Sequence, residues 1–309
     1  MFVFKIDILM SRFQPLFKDS YYAIGRRMKR CIPNLMSDKY FIRVTFKNSM
    51  GYELDLNHPC TFNEKLQWLK LNTRDKLYTQ LVDKNLAKTW ISSIIGDEFI
   101  VPTIAVYNNE SEIDLNSLPN RFVLKCNHDC GSVIVCKDKA VFDLEIAKEK
   151  LKIALRKNYY WDSREWPYKS VKRKIIAEQY LGDNLQDYRI YCFNGQPRLV
   201  YSYTNHSEKD GSKPEPVYCD IFDTEWHPMP FRQKSLPSGK VVPPTHLDEM
   251  LFCAQKLSSF FPHVRVDFYE TDKPYIGELT FFPGGGFSPF YPNEWDKVLG
   301  SWLVIPTDR

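Results

Sequence analysis

Several features that define other protein classes are missing from this 309-residue sequence. No run of about 18 apolar residues occurs, so no transmembrane helix is expected. The start, MFVFKIDILMSR, is interrupted by Lys5 and Asp7, and no small-residue cleavage site follows, which argues against a signal peptide. We therefore expect a cytoplasmic protein. The basic cluster at residues 26–30 would suit peripheral contact with the inner face of the membrane, although a solvated helix face is the favoured alternative.

Paired cysteines and a charge excess are also lacking. The eight cysteines are scattered without a CxxC pair, which excludes a zinc ribbon and favours free thiols over a disulfide framework. The net charge of +4 results from 42 basic and 38 acidic residues. Because nucleic-acid binding needs a concentrated basic surface, we expect no nucleic-acid partner.

Common nucleotide motifs are absent as well. The sequence has no GxxxxGK[ST] and no strand-GxGxxG-helix, which excludes P-loop and Rossmann sites. It also has no DxD, the motif that metal-dependent glycosyltransferases typically place in a loop between strands. If the protein binds phosphate groups, lysine and arginine side chains and glycine-rich turns must hold them.

What is present predicts an α+β protein. Residues 1–80 have a mainly helical pattern, with a capping box at Thr61 and Glu64. The segment LYTQLVDKNLAKTWISSII is predicted as one helix, ended by Gly96, and residues 141–158 as another. The segments EFIVPTIAVY, RFVLKC and RKIIAEQYL are predicted strands.

The second half of the chain has the pattern of β-hairpins with one helix. DYRIYCF and QPRLVYSY flank Asn194-Gly195, a strong hairpin signal. A helix is predicted at HLDEMLFCAQKLSSFF, and a last hairpin at VRVDFYE and PYIGELTFF. Hairpins mixed with helices indicate an α+β chain and not a doubly wound one.

The last hairpin carries the most informative chemistry. If its turn centres on Asp272-Lys273, Asp267 lies opposite Glu278. Opposed like charges destabilise a sheet unless a cation lies between them, and Mg²⁺ typically takes one or two carboxylates. The alternative is two surface acids that diverge or pair with Arg265. Strand alternation predicts two faces: Arg265, Asp267, Tyr269, Ile276, Glu278 and Thr280 on one, and Val266, Phe268, Leu279 and Phe281 on the core side.

Two further segments suit the binding of anions. The three glycines at 284–286 follow the hairpin, and glycine lets backbone N–H groups approach an anion closely. Lys125 ends the strand RFVLK and is followed by a polar turn that contains Gly131. His128 between Cys126 and Cys130 suggests a zinc cluster as an alternative, but this spacing matches no common ligand pattern.

Taken in order, Asp83-Lys84, FVLKCNH, IIAEQYL, DYRIYCFNG and VRVDFY…GELTFFPGGGF resemble the TupA-like ATP-grasp family. The similarity runs from about Thr61 to the C-terminus. Members of this family are associated with gene clusters for teichuronopeptide and other bacterial surface polysaccharides. The resemblance implies an ATP-grasp fold in which two α+β subdomains grip ATP. We expect a helical N-terminal region at 1–80, a small subdomain at 81–181 and a large subdomain at 182–309.

The resemblance also implies site residues. ATP would be bound by Lys125, by Lys84 or Lys88, by Ser132 and Asp187, and by an adenine hinge of Glu178, Gln179, Tyr180 and Leu181. Arg189 and Arg265 would be catalytic, and Asp267, Glu278 and Thr280 would hold magnesium. One departure from the family pattern is Asp129-Cys130-Gly131, where a Gly-Ser-Gly turn is usual.

The activity that the resemblance implies is amide formation that depends on ATP and Mg²⁺. A carboxylate would be phosphorylated, and an amine or amino acid would capture the acyl phosphate. The acid would be a uronic acid of a capsular or cell-surface polysaccharide or of its precursor, and polysaccharide-assembly enzymes would be partners. The alternatives are a metal-dependent glycosyltransferase of such a cluster and a non-catalytic polysaccharide-binding protein.

Overall fold

The computed structural model describes residues 36–183, 185–204, 216–239 and 241–306. The predicted helical segment before residue 36 and the basic cluster at 26–30 lie outside the described residues. Within the described ranges, no helix combines the length and the apolar character that crossing a membrane requires.

Four helices open the described chain. They are α1 (Asp38–Met50), α2 (Phe62–Asn72), α3 (Lys76–Val82) and α4 (Leu86–Ile95). The predicted capping box begins α2, because the Thr61 hydroxyl accepts from the N–H of Glu64 and the Glu64 carboxylate accepts from the N–H of Thr61. The prediction of one helix across α3 and α4 is wrong. The carboxylate of Asp83 accepts from the N–H groups of Asn85 and Leu86 and so starts a new helix.

A four-stranded antiparallel sheet follows. Its strands are β1 (Thr103–Tyr107), β2 (Phe122–Cys126), β3 (Ile134–Cys136) and β4 (Ile175–Gln179), in the order β1-β4-β2-β3. Helices α5 (Leu144–Leu155) and α6 (Tyr160–Ser163) lie between β3 and β4 in the chain. The predicted strand at 98–107 is shorter than expected, since Asp97–Phe99 forms a 3₁₀ turn.

A five-stranded antiparallel sheet forms the second half. Its strands are β5 (Gln186–Phe193), β6 (Gln196–Thr204), β7 (Tyr218–Phe222), β8 (His263–Glu270) and β9 (Pro274–Thr280), in the order β7-β6-β5-β8-β9. The predicted turn at Asn194-Gly195 joins β5 and β6, and both residues have positive φ (48° and 79°). Helix α7 (Leu247–Ser258) packs on this sheet, and α8 (Glu294–Trp302) packs on α2.

The register of the last hairpin is as predicted near the two acids. Asp267 lies opposite Glu278, and Arg265 lies opposite Thr280. A bulge after Asp267 then makes Phe268 the partner of Ile276. Ile276 therefore packs in the core with Phe268, and its predicted position beside Glu278 is wrong.

Two apolar cores stabilise the fold. One core joins helices α2, α3, α4 and α7 to the five-stranded sheet, and the other joins α5 to the four-stranded sheet. Helices and antiparallel sheets in this arrangement confirm the predicted α+β class. The boundaries at 80/81 and 181/182 stay predictions.

Candidate functional site

The last hairpin brings four predicted site residues together. The guanidinium of Arg265 binds both carboxylate oxygens of Asp267, with Nε–Oδ1 at 2.6 Å and Nη2–Oδ2 at 2.5 Å. Its Nη2 also donates to Thr280 Oγ1 at 3.1 Å and lies 3.4 Å from Glu278 Oε1. All four side chains therefore lie on one face of the last hairpin.

A second arginine lies on the neighbouring strand β5. Arg189 pairs with Asp267 across the two strands, and its Nε lies 3.7 Å from Asp267 Oδ2. Its Nη2 donates to Asp187 Oδ2 at 2.7 Å, and its guanidinium stacks 4.1 Å from the ring centre of Tyr203. Asp187 and Arg189 thus extend the charged face along β5.

Lys84 connects this face to the other half of the chain. It lies between α3 and α4, and its Nζ is 2.9 Å from Glu278 Oε2. The same ammonium donates to the carbonyl of Asp129 at 2.7 Å, in the turn after β2. Lys84 therefore joins the last hairpin to the turn that follows β2 of the four-stranded sheet.

The four-stranded sheet contributes a buried cluster of two lysines and one acid. Glu178 on β4 accepts from Lys88 at one carboxylate oxygen and from Lys125 at the other, each at 2.6 Å. Lys88 also donates to the carbonyl of Val101 at 2.8 Å and to Thr103 Oγ1 at 2.6 Å. Both oxygens of Glu178, the residue expected to accept from adenine, are thus held by the two predicted phosphate lysines.

The rest of the expected hinge lies at the end of β4. The side chain of Gln179 is exposed, and its N–H donates to the carbonyl of Pro102 at 3.0 Å. Tyr180 and Leu181 are half-buried. The Tyr180 hydroxyl is buried and has no hydrogen-bond partner among the described residues.

The turn after β2 is held by its own side chains. Ser132 Oγ accepts from the N–H of Cys126 at 2.7 Å and donates to Asp129 Oδ1 at 2.5 Å. His128 is 2% exposed and its Nε2 lies 3.2 Å from the carbonyl of Lys157. In the described part of the chain, no three His, Cys, Asp or Glu residues form a cluster that could hold a metal ion. The zinc alternative at His128 therefore has no support in the structure.

The comparisons with known proteins identify the family. The model of the TupA-like ATP-grasp family matches residues 64–304, which is most of the chain. The chain belongs to the TupA-like ATP-grasp family. No curated protein sequence matches it.

Solved structures similar to this ATP-grasp chain share little sequence with it. The L-amino acid ligase from Bacillus licheniformis is 13% identical, with a TM-score of 0.47, and covers 80% of this chain and 56% of its own. The D-alanine–D-alanine ligase from Helicobacter pylori is 14% identical, with a TM-score of 0.42 and coverages of 79% and 69%. The D-alanine–D-alanine ligase from Bacillus anthracis complexed with ATP is 14% identical, with a TM-score of 0.36 and coverages of 65% and 54%. The match therefore spans little more than half the length of the first structures found.

The two opposed acids of this ATP-grasp chain have pKa values that are shifted in opposite directions. Burial raises the pKa of Asp267 to about 7, although Arg265 and Arg189 lower it. Burial also acts to raise the pKa of Glu278, but the charges of Lys84 and Arg265 outweigh it and hold that pKa well below its usual range. Burial thus disfavours the charged form of Asp267 in spite of the arginines, whereas the cations around Glu278 favour its charged form.

The donor set of the hairpin fits a magnesium ion. Asp267, Glu278 and Thr280 supply only oxygen donors, which hard cations prefer, and the two carboxylates are directly opposed. The raised pKa of Asp267 indicates that the two arginines do not offset the cost of its burial. An added divalent cation would lower that cost.

Sequence reasoning missed the support of the glycine loop, residues 283–286. Gln67 Nε2 donates to the carbonyls of Gly285 at 3.1 Å and Gly286 at 2.5 Å, and Lys70 Nζ donates to the carbonyl of Gly285 at 2.7 Å. Lys70 is only 1% exposed, and burial lowers its pKa to about 7. The available signal was the spacing of Gln67 and Lys70, which places both on one side of α2 beside Leu66.

The structure also qualifies the expectation of an anion at this loop. The N–H of Gly285 donates to the carbonyl of Phe282 at 2.8 Å, and the N–H of Phe287 donates to that of Gly284 at 3.1 Å. These two N–H groups close the turn, and their hydrogen bonds are used within it.

Glu165 is a further residue near the site that was not predicted.

Proposed function

We propose that this protein is an ATP- and magnesium-dependent ligase that joins a carboxylate to an amine through an acyl phosphate and releases ADP. The observation that carries the proposal is the convergence of both halves of the chain on Asp267 and Glu278. Lys84 reaches Glu278 from beside the four-stranded sheet, while Arg265 and Arg189 reach Asp267 from the five-stranded sheet.

The cations have a role that suits phosphoryl transfer. Lys84 and Lys125, with Lys88 as the further cation, would bind the phosphates of ATP once they leave the carboxylates that now hold them. Arg189 and Arg265 would stabilise the charge that spreads over the transferring phosphoryl group. Residues 178–181 would contact adenine, Asp187 would orient Arg189, and Ser132 would shape the turn over the phosphates.

Asp267, Glu278 and Thr280 would hold the magnesium ion. When bound, the ion neutralises phosphate charge and so favours transfer. Arg265 must then release part of its contact with Asp267, and its guanidinium becomes available to the reacting group. This exchange requires no change in the register of the hairpin.

The substrates are proposed from the family alone. The acid would be a uronic acid of a bacterial cell-surface polysaccharide or its precursor, and the amine would be an amino acid or amino alcohol. Such a reaction would take place in the cytoplasm, near the enzymes that assemble the polysaccharide.

The proposal is tested by ADP release over a panel of uronic acids and amines, with hydroxylamine to trap the activated acid as a hydroxamate. We expect Asp267→Asn and Glu278→Gln to lower turnover by at least about 1,000-fold, because each removes a ligand of the metal. Circular dichroism should show both variants folded. Glu145→Gln makes the same chemical change at an exposed site on α5 and should leave turnover unaltered.

The other outcomes are informative. Near-normal turnover in both site variants would refute the metal site. AMP as the product would leave the nucleotide site in place but refute the acyl phosphate, and transfer from a UDP-sugar without use of ATP would favour the glycosyltransferase alternative.

A further inference from the structure

The turn at residues 163–165 places a buried carboxylate beside the site. Arg164 ends α6 in the left-handed conformation (φ 59°), and Glu165 follows it directly. Glu165 is 5% exposed, and its Oε1 accepts from Ser163 Oγ at 2.7 Å. The side chain is therefore held in one orientation and is largely shielded from bulk water.

Contacts of the same turn place it beside the glycine loop that comes after the last hairpin. Lys70 Nζ donates to the carbonyl of Ser163 at 2.8 Å and to that of Gly285 at 2.7 Å. The turn lies so close to the glycine loop that a Cβ on Gly285 would be 2.8 Å from the Cβ of Ser163. Because only two residues separate β9 from the glycine loop, the turn that carries Glu165 lies near the end of the strand that carries Glu278.

Electrostatics agrees with this position. Burial raises the pKa of Glu165. The charge of Lys70 and, to a smaller extent, that of Arg265 lower this pKa, whereas the charge of Glu278 raises it. The pKa of Tyr168, raised first by burial, is raised further by the charges of Glu165 and Glu278. Glu165 and the Tyr168 ring therefore lie within electrostatic range of Glu278.

Glu165 differs from the other acids of the site in its partners. Each of the others has a cation in salt-bridge contact: Glu178 with Lys88 and Lys125, Asp187 with Arg189, Asp267 with Arg265, and Glu278 with Lys84. Among the described residues, Glu165 has no such cation, and no donor contacts its Oε2. The charge of Lys70 lowers the pKa of Glu165, but Lys70 makes no salt bridge with this carboxylate, and its hydrogen bonds go to two carbonyls.

We propose that Glu165 binds the ammonium group of the amine co-substrate through Oε2, next to the phosphoryl-transfer centre. This inference rests on the proposed function. A buried carboxylate without a cation in salt-bridge contact is costly, and a ligand ammonium supplies both that contact and the missing donors. The site thereby selects amines that are cationic before they react.

The test compares a cationic and a neutral nucleophile. With ATP, magnesium and the uronic acid that best stimulates ADP release, the KM is measured at pH 7.5 for ethanolamine, which is protonated, and for hydroxylamine, which is not. We expect Glu165→Gln to raise the KM for ethanolamine about 10- to 100-fold more than the KM for hydroxylamine, the size of a lost charge-assisted hydrogen bond. Glu165→Asp should restore part of the preference, and Glu145→Gln should leave both KM values unaltered.

A binding measurement separates this inference from the proposed function. Calorimetry with ethanolamine, in the presence of a non-hydrolysable ATP analogue and magnesium, should show binding to the wild type and none to Glu165→Gln. Such binding without amine-dependent ADP release would refute the ligase reaction and leave the ammonium site standing. Equal KM changes for both nucleophiles, or unaltered ethanolamine binding in Glu165→Gln, would show that Glu165 is only structural and overturn the inference.

Discussion

At the scale of single residues, Asp267 and Glu278 show how one hairpin can hold two carboxylates at cross-strand distance. Glu278 is stabilised in its charged form, because Lys84 and Arg265 hold its pKa well below the usual range in spite of burial. Asp267 is destabilised in its charged form, since burial raises its pKa to about 7 against the arginines. The cations of the protein therefore stabilise the negative charge of Glu278, whereas an additional cation would stabilise that of Asp267.

This difference predicts a pH-dependent effect on stability. Because the pKa of folded Asp267, about 7, exceeds its usual 3.8, its favourable contribution holds below 3.8 and is lost as the pH rises through 7. For Asp267→Asn without metal, we expect the melting temperature relative to wild type to be about 2–4 °C more positive at pH 8.5 than at pH 5.0. The substitution also removes the carboxylate that Arg265 contacts, but this loss is common to both pH values and cancels in the comparison. Differential scanning fluorimetry in EDTA measures the melting temperatures.

Glu278→Gln is the matched control. The pKa of folded Glu278 lies below its usual 4.5, so its stabilising contribution is present above 4.5 and is lost only at lower pH. The variant should therefore melt below wild type by a similar margin at pH 5.0 and pH 8.5. An equal margin for Asp267→Asn at the two pH values would contradict the burial cost assigned to Asp267.

The sequence was sufficient to predict the opposed acids, since strand alternation and a turn of known position define their register. It was insufficient for their cations. Lys84 reaches Glu278 across nearly 200 residues, and no local pattern encodes such a contact. Glu165 was missed for the same reason, because its place beside the glycine loop depends on Lys70 and on the packing of two distant turns.

At the scale of elements, the glycine loop shows why small residues are needed after β9. Gly284, Gly285 and Gly286 have φ values of 59°, 64° and 66°, and the loop packs against α2 and the turn at Ser163. A side chain at Gly285 would be strained by the backbone and would also collide with Ser163. The loop can therefore approach the site only without side chains.

The substitutions Gly285→Ala and Gly51→Ala separate the effect of backbone strain from the effect of the collision with Ser163. Gly51 also has positive φ (82°), but a Cβ there would meet no atom within 4 Å. We expect Gly51→Ala to lower the free energy of unfolding by about 1 kcal/mol from backbone strain alone. Gly285→Ala should lower it by about 2–4 kcal/mol, because overpacking adds to the strain.

Urea unfolding measures both free energies, and ADP release reports on the site. The Gly285→Ala variant should also lose turnover, since the displaced loop moves Ser163 and Glu165, whereas Gly51→Ala should keep it. Equal destabilisation by the two substitutions would mean that the loop accommodates a methyl group without moving.

Elements were predictable where local signals were strong. The capping box at Thr61 and the turn at Asn194-Gly195 are confirmed, since each depends on neighbouring residues alone. The break between α3 and α4 was missed because apolar periodicity continues through it and only three residues, 83–85, separate the two helices. The bulge after Asp267 was missed because strand alternation assumes an unbroken ladder.

At the scale of the whole molecule, the thiols report how the chain is packed. Of the seven cysteines that the structure describes, Cys60 and Cys130 are exposed, and none of the seven forms a disulfide. The five buried ones are Cys126, Cys136, Cys192, Cys219 and Cys253. Burial raises the pKa of each buried thiol, which lowers its thiolate fraction and its reactivity.

We expect iodoacetamide at pH 8 to label Cys60 and Cys130 of the native protein first, and the five buried thiols only after denaturation. Peptide mapping by mass spectrometry under non-reducing conditions measures the labelling and should find no disulfide-linked peptide among these cysteines. Fast labelling of Cys192 or Cys253 in the native protein would contradict the core between α7 and the five-stranded sheet.

The balance of charge at the site governs how a nucleotide would reach it. Apart from Lys70, whose pKa burial lowers to about 7, the described residues of the site include five cations and five carboxylates: Lys84, Lys88, Lys125, Arg189 and Arg265 against Glu165, Glu178, Asp187, Asp267 and Glu278. Formal charges that cancel produce only a weak field at a distance, so an anionic nucleotide gains little attraction before contact. If a nucleotide binds here as proposed, diffusion would set the rate of its encounter, and selection would follow as each phosphate replaces a carboxylate that already holds a lysine or an arginine.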